Sequence, residues 1–377
     1  MALITYLTTI RFGTGTLSEL PEDLDALRLA RPLIVTDRGV VAAGLVERLF
    51  EALGARPRIV FDDVPSNPTE TAALRALAVY RAEACDGVIG FGGGSPIDLA
   101  KAVAILATHP EPLAQYAVID GGLARITERV APVIAIPTTS GTGSEVGRGS
   151  LMNLEDGRKV GLISPHLIPR RAICDPDLTV GLPPGLTAAT GMDALSHCIE
   201  TFLSPRLNPP ADAIALDGAG RIVRHIERAV RDGSDREARG ELMMGALMGG
   251  MTFQKGLGAV HGLSHALGSL REPSLHHGLL NAVLLPPVLR FNASHVGDKY
   301  ERLAAAMGLG AGTDLAAFVE GLNARMGLPG SLREMGVPAS PISEMALKAE
   351  RDHSTATNPR STTAADYAAL LEDSIAH

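Results

Sequence analysis

GVIGFGGGSPIDLAK, Gly87 to Lys101, decides how this chain is to be read. It opens as a short apolar run of the kind that forms a buried strand. It ends in a helical pattern from Pro96 to Thr108, and consecutive glycines join the two. Glycines at a strand end let backbone N–H groups approach an anion with no Cβ in the way. Ser95 reads as the N-cap of the helix, Pro96 suits its first position, and Asp98 completes a Ser-x-x-Asp capping pattern. A helix N-terminus rising from a glycine loop is a phosphate-binding arrangement. The plainer alternative is a tight strand-to-helix turn.

The same alternation extends on both sides. LITYLTTIRFG (Leu3 to Gly13) reads as a strand or hairpin arm, and PLIVTD (Pro32 to Asp37) as a buried strand followed by a helical pattern from Val40 to Leu53. RIVFDDV (Arg58 to Val64) is a further strand, Thr69 to Ala84 is helical, and VAPVIAIPTTS (Val130 to Ser140) is a strand running into a small polar loop. Short apolar strands between helices are the pattern of a parallel sheet covered on both faces. After Leu182-Pro183-Pro184-Gly185 the texture changes to long Ala/Leu/Met-rich helical stretches, broken at Pro209-Pro210, Pro286-Pro287 and Pro341. The expectation is an α/β dinucleotide-binding domain with a parallel sheet over residues 1–184, an all-helical domain over residues 185–377, and a cleft between them.

Composition narrows the function. Across 377 residues, 34 Lys plus Arg face 42 Asp plus Glu for a formal charge of -8, which argues against a sequence-independent nucleic-acid binder. Five Tyr, eight Phe and no Trp leave little for a base-stacking surface. Cys85, Cys174 and Cys198 have no CxxC spacing, which argues against a disulfide framework or thiolate zinc site and fits a reducing compartment. No signal peptide and no long apolar window is evident, so a cytoplasmic protein without a membrane partner is expected.

The chemistry concentrates in two regions. Neither the glycine loop nor the first strand-to-helix turn, VTDRGVVAAG, is a GxGxxG fingerprint, which disfavours a standard Rossmann site. Asp37 stands at a strand end, where a carboxylate can accept from ribose hydroxyls and repel a 2′-phosphate, favouring NAD over NADP; it can equally be a helix N-cap. The loop Thr138-Thr139-Ser140-Gly141-Thr142-Gly143-Ser144-Glu145 could bond a cofactor or satisfy its own backbone. In the second half, Asp193 and His197 share a helix face at i and i+4, as do His261 and His265, with His276-His277 nearby. Such a cluster suits a divalent transition metal, Fe(II) or Zn(II), and matches Mg or Ca poorly. His225 is read as solvated, as are His109, His166, His295, His353 and His377. Lys255 and Arg148 could pair with a substrate carboxylate, or face solvent.

GGGSPIDLAK, PTTSGTGSEV, Asp193-Ala-Leu-Ser-His197-Cys-Ile-Glu, VHGLSHALG, HHGLLNAVLLP and Thr357-Asn-Pro-Arg360 follow one another across nearly the whole chain. Jointly they resemble the iron-containing, group III, alcohol dehydrogenases. The resemblance implies the architecture shared with dehydroquinate synthase. It also implies metal ligands Asp193, His197, His261 and His277, with His265 near the metal but outside the ligand set. It carries cofactor contacts onto Asp37, Gly93, Gly94 and Ser95 on the diphosphate and ribose side, and onto Thr138, Thr139, Thr142 and Lys159 at the nicotinamide half. The stretch before His277 is two residues longer than in typical members, so His276 is an alternative ligand. Pro287 stands where many members have a histidine.

The resemblance thus implies an NAD(H)-linked, metal-dependent oxidoreductase acting on a small primary alcohol or hydroxy acid and its aldehyde or semialdehyde. Fe(II) is the expected metal with Zn(II) the alternative, and a homodimer is the expected assembly. His265, one turn from His261, is the candidate proton relay, the alternative being that it orients a metal ligand. A glycerol-dehydrogenase-like or dehydroquinate-synthase-like enzyme is the alternative of the same architecture. The synthase needs a basic phosphate pocket, and few Lys or Arg cluster near the metal motifs. A metal-dependent hydrolase leaves Asp37 and both polar loops without a purpose, and a non-catalytic nucleotide binder has no use for the histidines.

Overall fold

The computed structural model describes residue 4 and residues 8–376, apart from residues 271, 274, 339 and 341. The strands are β1 (Thr9–Phe12), β2 (Pro32–Val35), β3 (Ile59–Phe61), β4 (Gly87–Gly92), β5 (Val133–Pro137), β6 (Gly149–Asn153), β7 (Lys159–Ile163) and β8 (Arg171–Cys174). Six of them form one sheet in the order β1-β8-β5-β4-β2-β3, with every neighbouring pair parallel. The helices of this half are α1 (Leu20–Ala26), α2 (Arg38–Ala42), α3 (Leu45–Leu53), α4 (Glu70–Ala82) and α5 (Gly94–Leu106).

The continuous apolar runs are explained by two cores, one on each face of the sheet. Leu33, Val35, Val88 and Val133 pack with α4 and α5, while Ile34, Ile89, Ile134 and Ile173 pack with α1 and α3. Successive residues of a strand point to opposite faces, so a sheet covered on both sides needs apolar residues at every position. Each buried aliphatic side chain contributes roughly 1.5–3 kcal/mol of transfer free energy.

Several expectations change. The helical pattern from Val40 to Leu53 is two helices, α2 and α3, interrupted at Ala43 and Gly44. Of the run Leu3 to Gly13, the strand covers Thr9–Phe12; Leu3 and residues 5–7 lie outside the described residues. The sequence reading did not anticipate β8 or the antiparallel pair β6–β7. Asp156-Gly157 between those two strands, with Gly157 at φ 84°, was the available hairpin signal.

The chain divides between Gly181 and Leu182 into two units. The second is built from α6 (Pro184–Leu203), α7 (Pro209–Arg231), α8 (Arg236–Met251), α9 (Ala259–Leu267), α10 (His277–Asn292), α11 (Lys299–Ala306), α12 (Leu315–Arg325), α13 (Ile342–Glu350) and α14 (Ala364–Ala376), and carries no strand among the described residues. Thr187 to Leu203 are all buried, because α7, α8 and α10 pack around α6. Pro209 and Pro210 open α7, whereas Pro286 and Pro287 lie inside α10 and do not break it. Proline has no N–H for the carbonyl four residues earlier. For Pro286 that carbonyl is Ala282's, and Asn323 Nδ2 on α12 donates to it at 2.7 Å. Pro341 lies outside the described residues. The three cysteines are free and buried, and no described helix is long and apolar enough to cross a membrane.

Candidate active site

Asp37, Gly93–Ser95 and Thr138–Thr142 all follow the carboxyl ends of β2, β4 and β5, which are neighbours in the sheet. That edge is where open parallel sheets bind ligands. The predicted capping box is not formed. Gly93 is the N-cap of α5, the helix begins at Gly94, and Ser95 Oγ donates instead to Ser66 O at 2.6 Å. Asp98 is drawn under the helix, where it accepts from Ser144 Oγ at 2.6 Å and Leu151 N at 2.9 Å. A Cβ on Gly94 would lie 2.7 Å from Thr142 Cγ2, so the glycine loop and the threonine loop meet because residue 94 has no side chain.

Lys101, fully buried, holds the threonine loop from below. Its Nζ donates to the carbonyls of Ser144 (2.7 Å), Gly147 (3.0 Å) and Gly149 (2.7 Å). Burial pulls Lys101 down to about 8 and pushes Glu145 up to about 7. Thr138 N donates to Gly92 O at 2.9 Å, and Lys159 Nζ on β7 donates to Asn67 Oδ1 at 3.2 Å. Asp37 is the N-cap of α2, accepting from Val40 N at 2.9 Å.

In the helical unit, Asp193 and His197 come from α6, His261 from α9 and His277 from α10. The Nε2 atoms of His197, His261 and His277 lie 3.5, 3.7 and 3.6 Å from Asp193 Oδ1. Donors ~2.1 Å from a tetrahedral cation stand about 3.4 Å apart, so each of these three distances suits a divalent transition metal, and the donor atoms of Asp193, His197 and His261 lie within 4.8 Å of one another. The approach of α10 to α6 depends on Gly278, where a Cβ would meet Ala189 O at 2.3 Å. His276 is the exposed N-cap residue of α10, and it is His277 that reaches Asp193. Burial alone would raise Asp193, but the facing imidazoles, His197 and His277 foremost, hold it well below the usual carboxylate range.

Sequence reasoning missed the residues that support this set. Glu200 on α6 places Oε2 2.5 Å from His261 Nδ1, while its Oε1 accepts from Val260 N at 2.7 Å. Against the lowering effect of burial, Glu200 and Asp193 push His261 up to about 9; a divalent cation would compete for the same field. Asn281 Nδ2 donates to Asp193 Oδ1 at 2.7 Å and lies 3.2 Å from Nε2 of both His261 and His277. Positions 193, 197 and 200 fall at i, i+4 and i+7, and 277 and 281 at i and i+4. Helical spacing was therefore the available signal.

His265 stands outside the donor set. Its Nδ1 is 3.1 Å from Asp352 Oδ2, and its buried Nε2 has no hydrogen-bond partner among the described residues. Its ring stacks on His277 (centroids 5.5 Å apart) and on His353 (5.7 Å). His353, read from sequence as solvated, is thus packed beside the cluster. His109 is likewise buried, between Thr108 Oγ1 (2.8 Å) and Thr127 N (3.0 Å). Lys255 neither faces solvent nor awaits a substrate: it is buried and paired with Asp212.

Residues 8–176 match the family model of the iron-containing alcohol dehydrogenases, and residues 187–375 match the model of the family's C-terminal domain. The chain belongs to the iron-containing alcohol dehydrogenases. It is 54% identical to a 4-hydroxybutyrate dehydrogenase of Cupriavidus necator, over 100% of both chains. It is 37% identical to a 1,3-propanediol dehydrogenase of Klebsiella pneumoniae, over 96% of this chain and 95% of that one. Among solved structures, a 1,3-propanediol oxidoreductase superposes with a TM-score of 0.93 at 36% identity, covering 99% of this chain and 100% of that one. A sulfoacetaldehyde reductase from Bifidobacterium kashiwanohense in complex with NAD+ gives 0.88 at 28% identity, covering 99% of each. As an iron-containing alcohol dehydrogenase, this chain is an NAD(H)-linked oxidoreductase that interconverts alcohols and their carbonyl counterparts.

Proposed function

We propose that this enzyme interconverts a short ω-hydroxy acid of the 4-hydroxybutyrate kind and its semialdehyde, using NAD in preference to NADP and Fe(II) in preference to Zn(II). The observation that carries the chemistry is the ring of three imidazole Nε2 atoms around Asp193 Oδ1. The substrate class rests on 54% identity along the whole chain to the Cupriavidus necator enzyme. A divalent cation in that donor set supplies a Lewis acid for the substrate oxygen, and the nicotinamide carries the hydride.

The remaining roles belong to the chain. Asp193, His197, His261 and His277 hold the cation. Glu200 keeps the proton of His261 on Nδ1, so that Nε2 presents a lone pair. His265 moves a proton at Nε2, with Asp352 fixing the ring through Nδ1. Gly93, Gly94 and Ser95 bind the cofactor diphosphate at the α5 N-terminus, and Thr138, Thr139, Thr142 and Lys159 bind the nicotinamide half. Asp37 accepts from the adenosine ribose and repels a 2′-phosphate there. Free buried cysteines support a cytoplasmic location. β1, an edge strand among the described residues, supports a homodimer.

The test is a substrate panel on protein reconstituted anaerobically with Fe(II). The expected result is a higher kcat/KM for 4-hydroxybutyrate than for 1-butanol, and for succinic semialdehyde than for butyraldehyde, with NAD(H) favoured over NADP(H). Equal or better rates on the uncharged pair would overturn the substrate reading, and a preference for NADP would overturn the role of Asp37.

A further inference from the structure

Beyond His277 two more imidazoles are stacked in succession. His265 lies against His277 at 5.5 Å with ring planes 10° apart, and His353 lies against His265 at 5.7 Å with planes 18° apart. The outermost ring, His353, keeps 27% of its side chain exposed, whereas His265 is buried. Asp352 holds the His265 ring and flanks that of His353. Its Oδ2 is 3.1 Å from His265 Nδ1, its Oδ1 accepts from Ser354 N at 2.8 Å, and the same Oδ1 is 3.5 Å from His353 Nδ1. At 3.5 Å from Asp352 Oδ1, His353 Nδ1 makes no hydrogen bond with that carboxylate, so the ring can carry its proton on Nε2 and donate it to a ligand.

We propose that His353 is a specificity-determining residue that binds the far carboxylate of the ω-hydroxy acid through Nε2. The inference rests on the substrate class and donor set proposed above. An extended four-carbon hydroxy acid places its terminal oxygens ~6 Å apart. Contacts of ~2 Å at the donor set and ~3 Å at a hydrogen bond bring the reach to on the order of 10 Å. Two imidazole steps of 5.5 and 5.7 Å are the most that separates the His353 ring from the His277 ring, so His353 lies within that reach. Three cations of this unit are already engaged: Lys255 by Asp212, Lys299 by the carbonyls of Phe202, Leu203 and Ser204, and Arg360 over the Phe291 ring. A site that hydrogen-bonds a substrate group discriminates against a substrate that lacks it.

The test compares wild type, His353→Ala and His353→Lys on two aldehydes, succinic semialdehyde and butyraldehyde. A second readout needs no turnover: titration of the enzyme–NADH complex with 4-hydroxybutyrate or 1-butanol, followed by NADH fluorescence. In His353→Ala, the ratio of kcat/KM for succinic semialdehyde to that for butyraldehyde should fall at least tenfold. The Kd for 4-hydroxybutyrate should rise by a similar factor, well beyond any change for 1-butanol, and His353→Lys should recover part of both. Equal losses on the charged and uncharged ligands would mean that His353 merely supports His265, and would overturn the inference. If wild type itself shows no preference for the charged pair, the substrate reading fails instead.

Discussion

Asp193 and His265 lie in the same cluster, yet they should fail differently. Asp193 Oδ1 is the atom around which three imidazole nitrogens gather, so Asp193→Ala should lose metal and activity together. His265 is held by Asp352 outside that ring, so His265→Ala should keep its metal while kcat falls by roughly 10²–10⁴-fold. Metal analysis on the two purified variants checks this, and an Asp193→Ala protein that keeps both metal and turnover refutes the assignment. Glu145, in the threonine loop, gives a pH signature. Burial makes its ionisation harder in the folded chain, raising it from 4.5 to about 7. The folded state therefore keeps its proton longer, and the stability this provides is present below about 4.5 and lost as pH rises through about 7. The loss is on the order of 3 kcal/mol by pH 8. Glu145→Gln should gain thermal stability relative to wild type between pH 5 and pH 8; an unchanged difference between the two pH values counts against it.

Helix α10 keeps its course through Pro286 and Pro287 because a side chain from α12 replaces a missing backbone donor. Asn323→Ala should strand the Ala282 carbonyl and cost about 1–3 kcal/mol, read as a lower urea midpoint with unchanged metal content. An unshifted midpoint would show that this carbonyl finds another partner. The same helix shows where sequence reading stops. A proline pair is a local signal and predicts a break, while the compensating Asn323 is 41 residues away. β2, β3, β4 and β5 could be read because their apolar runs are set by burial on both faces of the sheet. β6 alternates instead, and β7 opens on Lys159 with Gly161 at its centre, so neither shows as a continuous apolar run. Ser95 looked like a cap because the local pattern is right; the glycines before it let the helix start earlier, and Ser144 and Leu151 claim Asp98. At the metal cluster, the donor residues were found by spacing and family pattern, whereas Asp352 and His353 reach it from the turn after α13. No helical period links them to α9.

All four proposed metal donors lie between residues 193 and 277, and all proposed cofactor contacts lie between residues 37 and 159, on opposite sides of the unit boundary at Gly181–Leu182. A ligand stabilises what it binds by RT ln(1 + [L]/Kd). Chelating the metal should therefore speed amide exchange first in α6, α9 and α10, and adding NAD should slow it first around the ends of β2, β4 and β5. Hydrogen exchange resolved by peptide tests this, and reversal of the two patterns would contradict the division of labour. Behaviour in aerated buffer is settled by a plainer feature. Cys85, Cys174 and Cys198 are buried, and burial pushes Cys85 to about 11 and Cys198 to about 12 and raises Cys174 as well. Their thiols stay protonated at neutral pH, and it is the thiolate that reacts. With the proposed ferrous ion bound, inactivation in air should report oxidation of that ion, and dithiothreitol alone should not reverse it.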